Sequence, residues 1–263
     1  MYVAEVPAAT TRHVLADDGA RDKPCFGTSA CVPCDDSGRI AAMLQLVSLL
    51  LPTQRRMIHV GDTVYGAGSL FHHIYVMNCG FVKIVNTSDD GRSQVVGLHF
   101  RGDWLGFDGI ATGRHGCDAV ALDTGEVWAL RYDLLLRACA QSPSLLFGLH
   151  AEMSRAITSR DAMLSLCALP VAARVADFLR YWAESLAGRG LRADQITLRM
   201  SRAEIGNYLG MTLESVSRAL SGLARSKVIR FTEKGRRDIL IPDLQALTRF
   251  IQRASQPIGT TVQ

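Results

Sequence analysis

Missing from this chain of 263 residues is any long hydrophobic run: the longest apolar stretch, Ile40 to Leu51, falls well short of the roughly 20 residues a membrane-spanning helix needs. No N-terminal segment joins a basic start to an apolar core and a small-residue cleavage site, so the sequence predicts a cytoplasmic protein without a membrane partner. Seven cysteines is an odd number, which fits poorly with a fully paired disulfide framework and turns attention to metal or redox chemistry. Nucleophile elbow, phosphate loop and His-rich metal motif are all lacking, which argues against an enzyme.

What is present is 48% hydrophobic and 21% charged residues, enough to bury a substantial core and, at this length, to build two domains. The net charge of +4 conceals an asymmetry. From Pro170 onward there are 15 Lys and Arg against 8 Asp and Glu, while the preceding part has 14 against 17. A polyanion-binding surface therefore belongs in the last third, because neutralising phosphates and releasing their counterions supplies much of nucleic-acid affinity.

Residues 1–24 are polar and without sustained periodicity, an arm that leads to Cys25, Cys31 and Cys34; the arm with its cysteines runs to residue 37. A short apolar helix follows from about Gly38 until Pro52 stops the pattern. From Met57 to Leu130 glycines recur between short β-branched runs, the pattern of a small barrel or roll over 38–140, and Thr87-Ser88-Asp89-Asp90-Gly91 reads as a hairpin connection. After Ser142-Pro143 the period becomes helical. Leu146, Leu149, Met153, Ile157 and Leu164 form one apolar stripe within 141–169, longer than a small domain needs, and pairing with a second copy would bury it. Packing against the chain's own β-domain is the alternative.

The segment 197–229 carries the most information. Ser201 and Glu204 have capping-box spacing, opening a short helix that turns Ile205 and Leu209 inward, and Gly210 suits the left-handed turn at its end. Thr212 then caps a second helix to about Ser226. With Val216 at 0° and about 100° per residue, Leu213, Leu220 and Leu223 gather on the inner face, while Glu214, Ser217, Arg218, Ser221 and Arg225 fall between about 100° and 200°. Carboxylate, hydroxyl and guanidinium groups on one outer face suit the major groove, where Arg forks to guanine and Glu accepts from cytosine. Glu214 and Arg218 also have the spacing of an ordinary surface ion pair. The piece 230–241, tipped by Lys234-Gly235-Arg236-Arg237, reads as a basic wing that touches phosphates, completing a winged helix-turn-helix over 170–250 with a tail at 251–263.

These residues, above all IGNYLGMTLESVSRAL, resemble the CRP/FNR family, named for the cyclic AMP receptor protein and the fumarate and nitrate reduction regulator. The likeness runs from about Cys25 to Leu247 and is to the oxygen-responsive FNR branch. It implies an α+β fold: an N-terminal β-roll of the cyclic-nucleotide-binding type, a long dimerisation helix and a C-terminal winged helix-turn-helix. It further implies a homodimer that binds double-stranded DNA at TTGAT-like half-sites through Glu214, Ser217 and Arg218 and activates RNA polymerase when oxygen is low. FNR-type sensors hold a [4Fe-4S] cluster on cysteines, and Cys25-x5-Cys31-Val32-Pro33 looks like the second half of that motif. The sequence departs from it in two places. No cysteine precedes Cys25 at the family's spacing, and Trp128 stands where the fourth ligand is expected. Cys25, Cys31, Cys34 and Cys117 would complete a four-thiolate set in altered order; the same spacing also suits zinc or a redox thiol pair. Cys79, Cys139 and Cys167 are expected as small buried hydrophobes. Asp161 falls where the family places an acidic residue on the dimer helix, so the likeness implies repulsion between symmetry mates. Rival signals for the same fold are a cyclic nucleotide, although Gly102-Asp103 and Arg114-His115 lack the usual phosphate-pocket pattern, and haem ligated by His72 or His73.

Overall fold

The structure, a computed structural model, describes residues 36–232 and 235–255, without the side chains of 160–165, 235, 236 and 255. Cys25, Cys31, Cys34 and Lys234, and the side chains of Asp161, Leu164 and Arg236, lie outside the described residues. The first helix, Ser37–Leu50 (α1), buries Leu44 and Val47 and ends where Leu51 turns extended ahead of Pro52.

Eight strands follow: Gln54–Ile58 (β1), Thr63–Tyr65 (β2), His73–Cys79 (β3), Val82–Thr87 (β4), Ser93–His99 (β5), Trp104–Leu105 (β6), Asp118–Ala121 (β7) and Gly125–Arg131 (β8). They form two antiparallel four-stranded sheets ordered β1-β8-β3-β6 and β2-β7-β4-β5, the β-roll of the α+β reading. Ile74 and Val76 point inward from alternate positions of β3, as a strand with one face on a core requires. The 87–91 segment is the hairpin between β4 and β5, where Gly91 takes φ 80° and Ser88 N donates to Arg92 O at 2.9 Å.

Tyr132–Gln141 (α2) leads to Pro143–Leu166 (α3), whose start is fixed by Pro143 and by the Ser142 hydroxyl accepting from Leu145 N at 3.3 Å. α3 stops three residues before the expected Leu169, and Pro170 then becomes the cap residue of Val171–Ala187 (α4). The expected stripe of α3 divides between two directions. Leu149 is buried and Met153 half-buried in a core shared with α1 and the first sheet, whereas Leu146 and Ile157 are exposed, together with Phe147. The reason is α1, which packs on α3 and takes part of the stripe for the chain's own core.

The last part is built from α4, Gln195–Thr197 (β9), Arg202–Leu209 (α5), Leu213–Arg225 (α6), Arg230–Thr232 (β10), Gly235–Leu240 (β11) and Leu244–Ser255 (α7). β10, β11 and β9 form an antiparallel sheet, so the wing has a third strand that sequence periodicity did not disclose. α4 is the central helix of this head, burying Phe178, Leu179 and Trp182 and packing against α6 and α7. Among the described residues no helix is long and apolar enough to cross a membrane.

Candidate nucleic-acid interface

Two short helices joined by a tight turn position the candidate DNA-reading face. At the start of α5 the Ser201 hydroxyl accepts from Glu204 N at 3.2 Å, and the Glu204 carboxylate accepts from Ser201 N at 2.7 Å, so the capping box is reciprocal. Gly210 closes the helix at φ 65°, ψ 44°, a left-handed conformation that glycine adopts without a Cβ clash. Thr212 then caps α6 by accepting from Ser215 N at 3.2 Å. Gly206 lies where the two helices cross, and a Cβ there would come within 2.5 Å of Met211 O. That close approach is what a glycine in the interior of α5 permits, and helical periodicity alone gave no sign of it.

The inner face of α6 consists of Val216, Ala219, Leu220 and Leu223. Leu213, expected with them, is instead 45% exposed at the first position of the helix. On the other side Glu214, Arg218, Ser221 and Arg225 are exposed and Ser217 is half-buried, so the five side chains share one outward face. Glu214 is held below the ordinary carboxylate range by its own backbone N–H and the Thr212 hydroxyl, with the positive charge of Arg218 adding to the effect. It is therefore an acceptor-only carboxylate at neutral pH, the form that accepts a hydrogen bond from an exocyclic base amine. The Ser221 hydroxyl donates to Ser217 O at 2.9 Å, which leaves its lone pairs to receive a donor. Among the described residues, neither Arg218 nor Arg225 is held in a salt bridge. Arg230 of β10 and Arg237 of β11 are exposed as well.

The head is fastened to the roll. Asn207 of α5 accepts from Val95 N at 2.5 Å and donates to Ser93 O at 2.7 Å, pairing like a strand with the outer edge of β5. Lys83 of β4 pairs with Glu204, and Trp182 of α4 stacks on Phe81 with ring centroids 5.6 Å apart. Sequence reading gave Glu204 a capping role only.

A cavity of about 500 Å³ opens between the roll, α3 and the head. Its arginines are engaged: Arg155 with Glu152, Arg180 with Asp177 and Glu184, Arg189 with Asp103. Cys117, 7% exposed, lines it and donates to Asp108 Oδ2 at 3.3 Å; His115 Nδ1 stands 3.7 Å from Asp108 Oδ1. Burial, with Asp108 and Cys117 beside it, pushes the Tyr65 phenol upward. Among the described residues no three His, Cys, Asp or Glu side chains gather as a metal ion requires. Trp128, at the position expected of the family's fourth thiolate, is buried and donates to Glu126 Oε1. Of the four cysteines expected to hold a cluster, only Cys117 lies among the described residues, where it is buried and donates to Asp108 Oδ2. Cys139 is buried as expected, but Cys79 and Cys167 are exposed, Cys79 at the end of β3 and Cys167 in the turn after α3. His72 is exposed and His73 half-buried at the start of β3, where burial, with His72 and Arg131 near it, lowers its pKa.

A capped helix pair, a wing and a β-roll in one chain define a DNA-binding regulator with a winged helix-turn-helix. Residues 173–250 match the Crp-like helix-turn-helix domain, and residues 55–142 match the cyclic nucleotide-binding domain. The chain is 33% identical over 235 residues to the transcriptional regulatory protein Btr of Bordetella pertussis, covering 89% of this chain and 95% of that protein. It is 33% identical to the transcriptional activator protein Anr of Pseudomonas protegens, covering 81% of this chain and 86% of that one. With the fumarate and nitrate reduction regulatory protein of Escherichia coli the identity is 31%, over 67% of this chain and 71% of the relative. Among solved structures, FixK2 of Bradyrhizobium japonicum superposes with a TM-score of 0.67 at 26% identity, covering 80% of this chain and all of that one. The chain belongs to the CRP/FNR family of transcription regulators and is not an enzyme.

Proposed function

We propose that this regulator binds as a homodimer to two TTGAT-like half-sites, reading bases with Glu214, Ser217 and Arg218 while Ser221, Arg225 and the wing flank them. The observation that carries the reading is the shared outward face of α6, with a deprotonated carboxylate at its N-terminal turn and an exposed guanidinium one turn later. Recognition helices read with that end. The test is a band-shift titration at fixed salt on a half-site and on its single-base variants. Glu214→Ala and Arg218→Ala should each relax discrimination at one base position by about 1–3 kcal/mol. Unchanged discrimination in both variants would sink the reading.

The exposed Leu146, Phe147 and Ile157 of α3 support a helix-to-helix dimer, with Asp161 and Leu164 further along the same helix. RNA polymerase at promoters used when oxygen is low is the partner this reading implies, in the cytoplasm. The names of the relatives favour a signal tied to respiration. A cyclic nucleotide is disfavoured because, among the described residues, each arginine lining the cavity is matched by a carboxylate.

The redox response is assigned to a [4Fe-4S] cluster on Cys25, Cys31, Cys34 and Cys117, the same cysteines holding zinc or forming a thiol pair being the alternative. Protein purified without oxygen should be brown, hold iron and sulfide in equal amounts and bleach in air, and Ser in place of Cys25, Cys31, Cys34 or Cys117 should abolish the oxygen dependence of DNA binding. A colourless protein containing zinc, or one whose oxygen dependence survives Cys117→Ser, would overturn the cluster in favour of a zinc site or a thiol pair.

A further inference from the structure

One side chain bridges the turn after α3 and the helix pair. Arg174 stands on the first turn of α4, and its guanidinium donates to three carbonyls of separate origin. Nη2 reaches Cys167 O at 2.9 Å and Nε reaches Leu169 O at 2.8 Å, both just past the end of α3. Nη1 reaches Leu209 O at 3.2 Å, on the last residue of α5 and one residue before the Gly210 turn.

The final carbonyls of a helix have no intrahelical donor and carry partial negative charge. A single cation therefore ties the last carbonyl of α5, which leads into α6, to two carbonyls of the turn that follows α3, the helix that the dimer reading places between the subunits. The neighbours Ala173 and Val175 are fully buried, so the point from which the side chain springs is fixed by the core of the head. A planar fork with five N–H donors holds three acceptors in a set orientation, whereas an ammonium on a flexible stem does not.

We propose that Arg174 is a positioning residue that sets the angle between α3 and the reading helix and so selects the distance between half-sites. The proposal rests on the two-half-site dimer reading above. In a dimer the two reading helices must enter the major groove about one helical turn apart, roughly 34–36 Å, and an error in the joint is applied to both ends.

The test uses the full-length protein and DNA duplexes with one half-site or with two, the spacer being varied base pair by base pair. The native chain should favour one spacing by on the order of 10²-fold, the gain from engaging both sites at once. Arg174→Lys and Arg174→Gln should bind the single half-site with native affinity while their preference among spacings falls at least about tenfold. Native spacing preference in both variants would overturn the role of Arg174 alone. Loss of affinity on single and double sites in equal proportion would also overturn it, showing a merely structural contribution. A native chain indifferent to spacing would overturn the dimeric reading together with the proposal.

Discussion

Glu214, Ser217, Arg218, Ser221 and Arg225 were legible as a group because a helix of known period converts sequence spacing directly into direction, and α6 is one uninterrupted helix from its Thr212 cap. Gly206 was not legible, since its role depends on where a second helix passes rather than on the period of its own. Its absent side chain lets Met211 O and the chain entering α6 lie against α5. Gly206→Ala should therefore push α6 outward and destabilise the head by about 1–3 kcal/mol, the usual cost of overpacking, even though Ala is the better helix former. Thermal unfolding and operator binding measured on the same variant should fall together; an unchanged melting temperature with native binding would show that the turn yields without cost.

At the scale of elements, α3 separates what pattern shows from what packing decides. The period of Leu146, Leu149, Met153 and Ile157 correctly announced a helix, but a stripe does not state how many neighbours share it. α1 takes Leu149 and part of Met153 into the roll's core, and the exposed remainder turns toward Leu146, Phe147 and Ile157. The third wing strand escaped notice for a related reason: Gln195–Thr197 is too short to show alternation and acquires its partner only through β11. Substitutions along α3 should accordingly have two unlike effects. Leu149→Ala leaves a cavity in a closed core and should cost about 2–5 kcal/mol of stability. Ile157→Asp should leave the fold intact and lower the dimer fraction in sedimentation, with weaker binding to paired half-sites; a monomer-to-dimer ratio like the native one would place the subunit contact elsewhere.

Across the whole molecule, roll and head share a hydrophobic core: Val95, Leu98, Phe100 and Leu122 of the roll join Phe178, Trp182, Tyr208 and others of the head. A polar clasp lies at its edge, formed by Asn207 on β5 and by Lys83 with Glu204. Glu204 is the member that titrates. Partial burial alone would raise its pKa, but the Lys83 ammonium, the Ser201 backbone N–H and the Ser201 hydroxyl outweigh burial and hold it below the ordinary glutamate value of about 4.3. A carboxyl lowered in the folded state contributes stability above its unfolded value and loses that contribution as pH falls through the folded value. The clasp should therefore be complete at neutral pH and come apart only in acid, below the range in which an exposed glutamate is half protonated. Glu204→Gln keeps an oxygen that can still accept from Ser201 N but removes the charge that Lys83 answers. Its stability deficit against the native protein should be constant from neutral pH down to about 5 and shrink as the pH drops further, once the native carboxylate is itself protonated. Denaturant titrations of both proteins at successive pH values measure this difference directly, and a deficit that grows toward acid would mean that Glu204 is bound in its neutral form and that the head is held to the roll by the shared core and Asn207 alone.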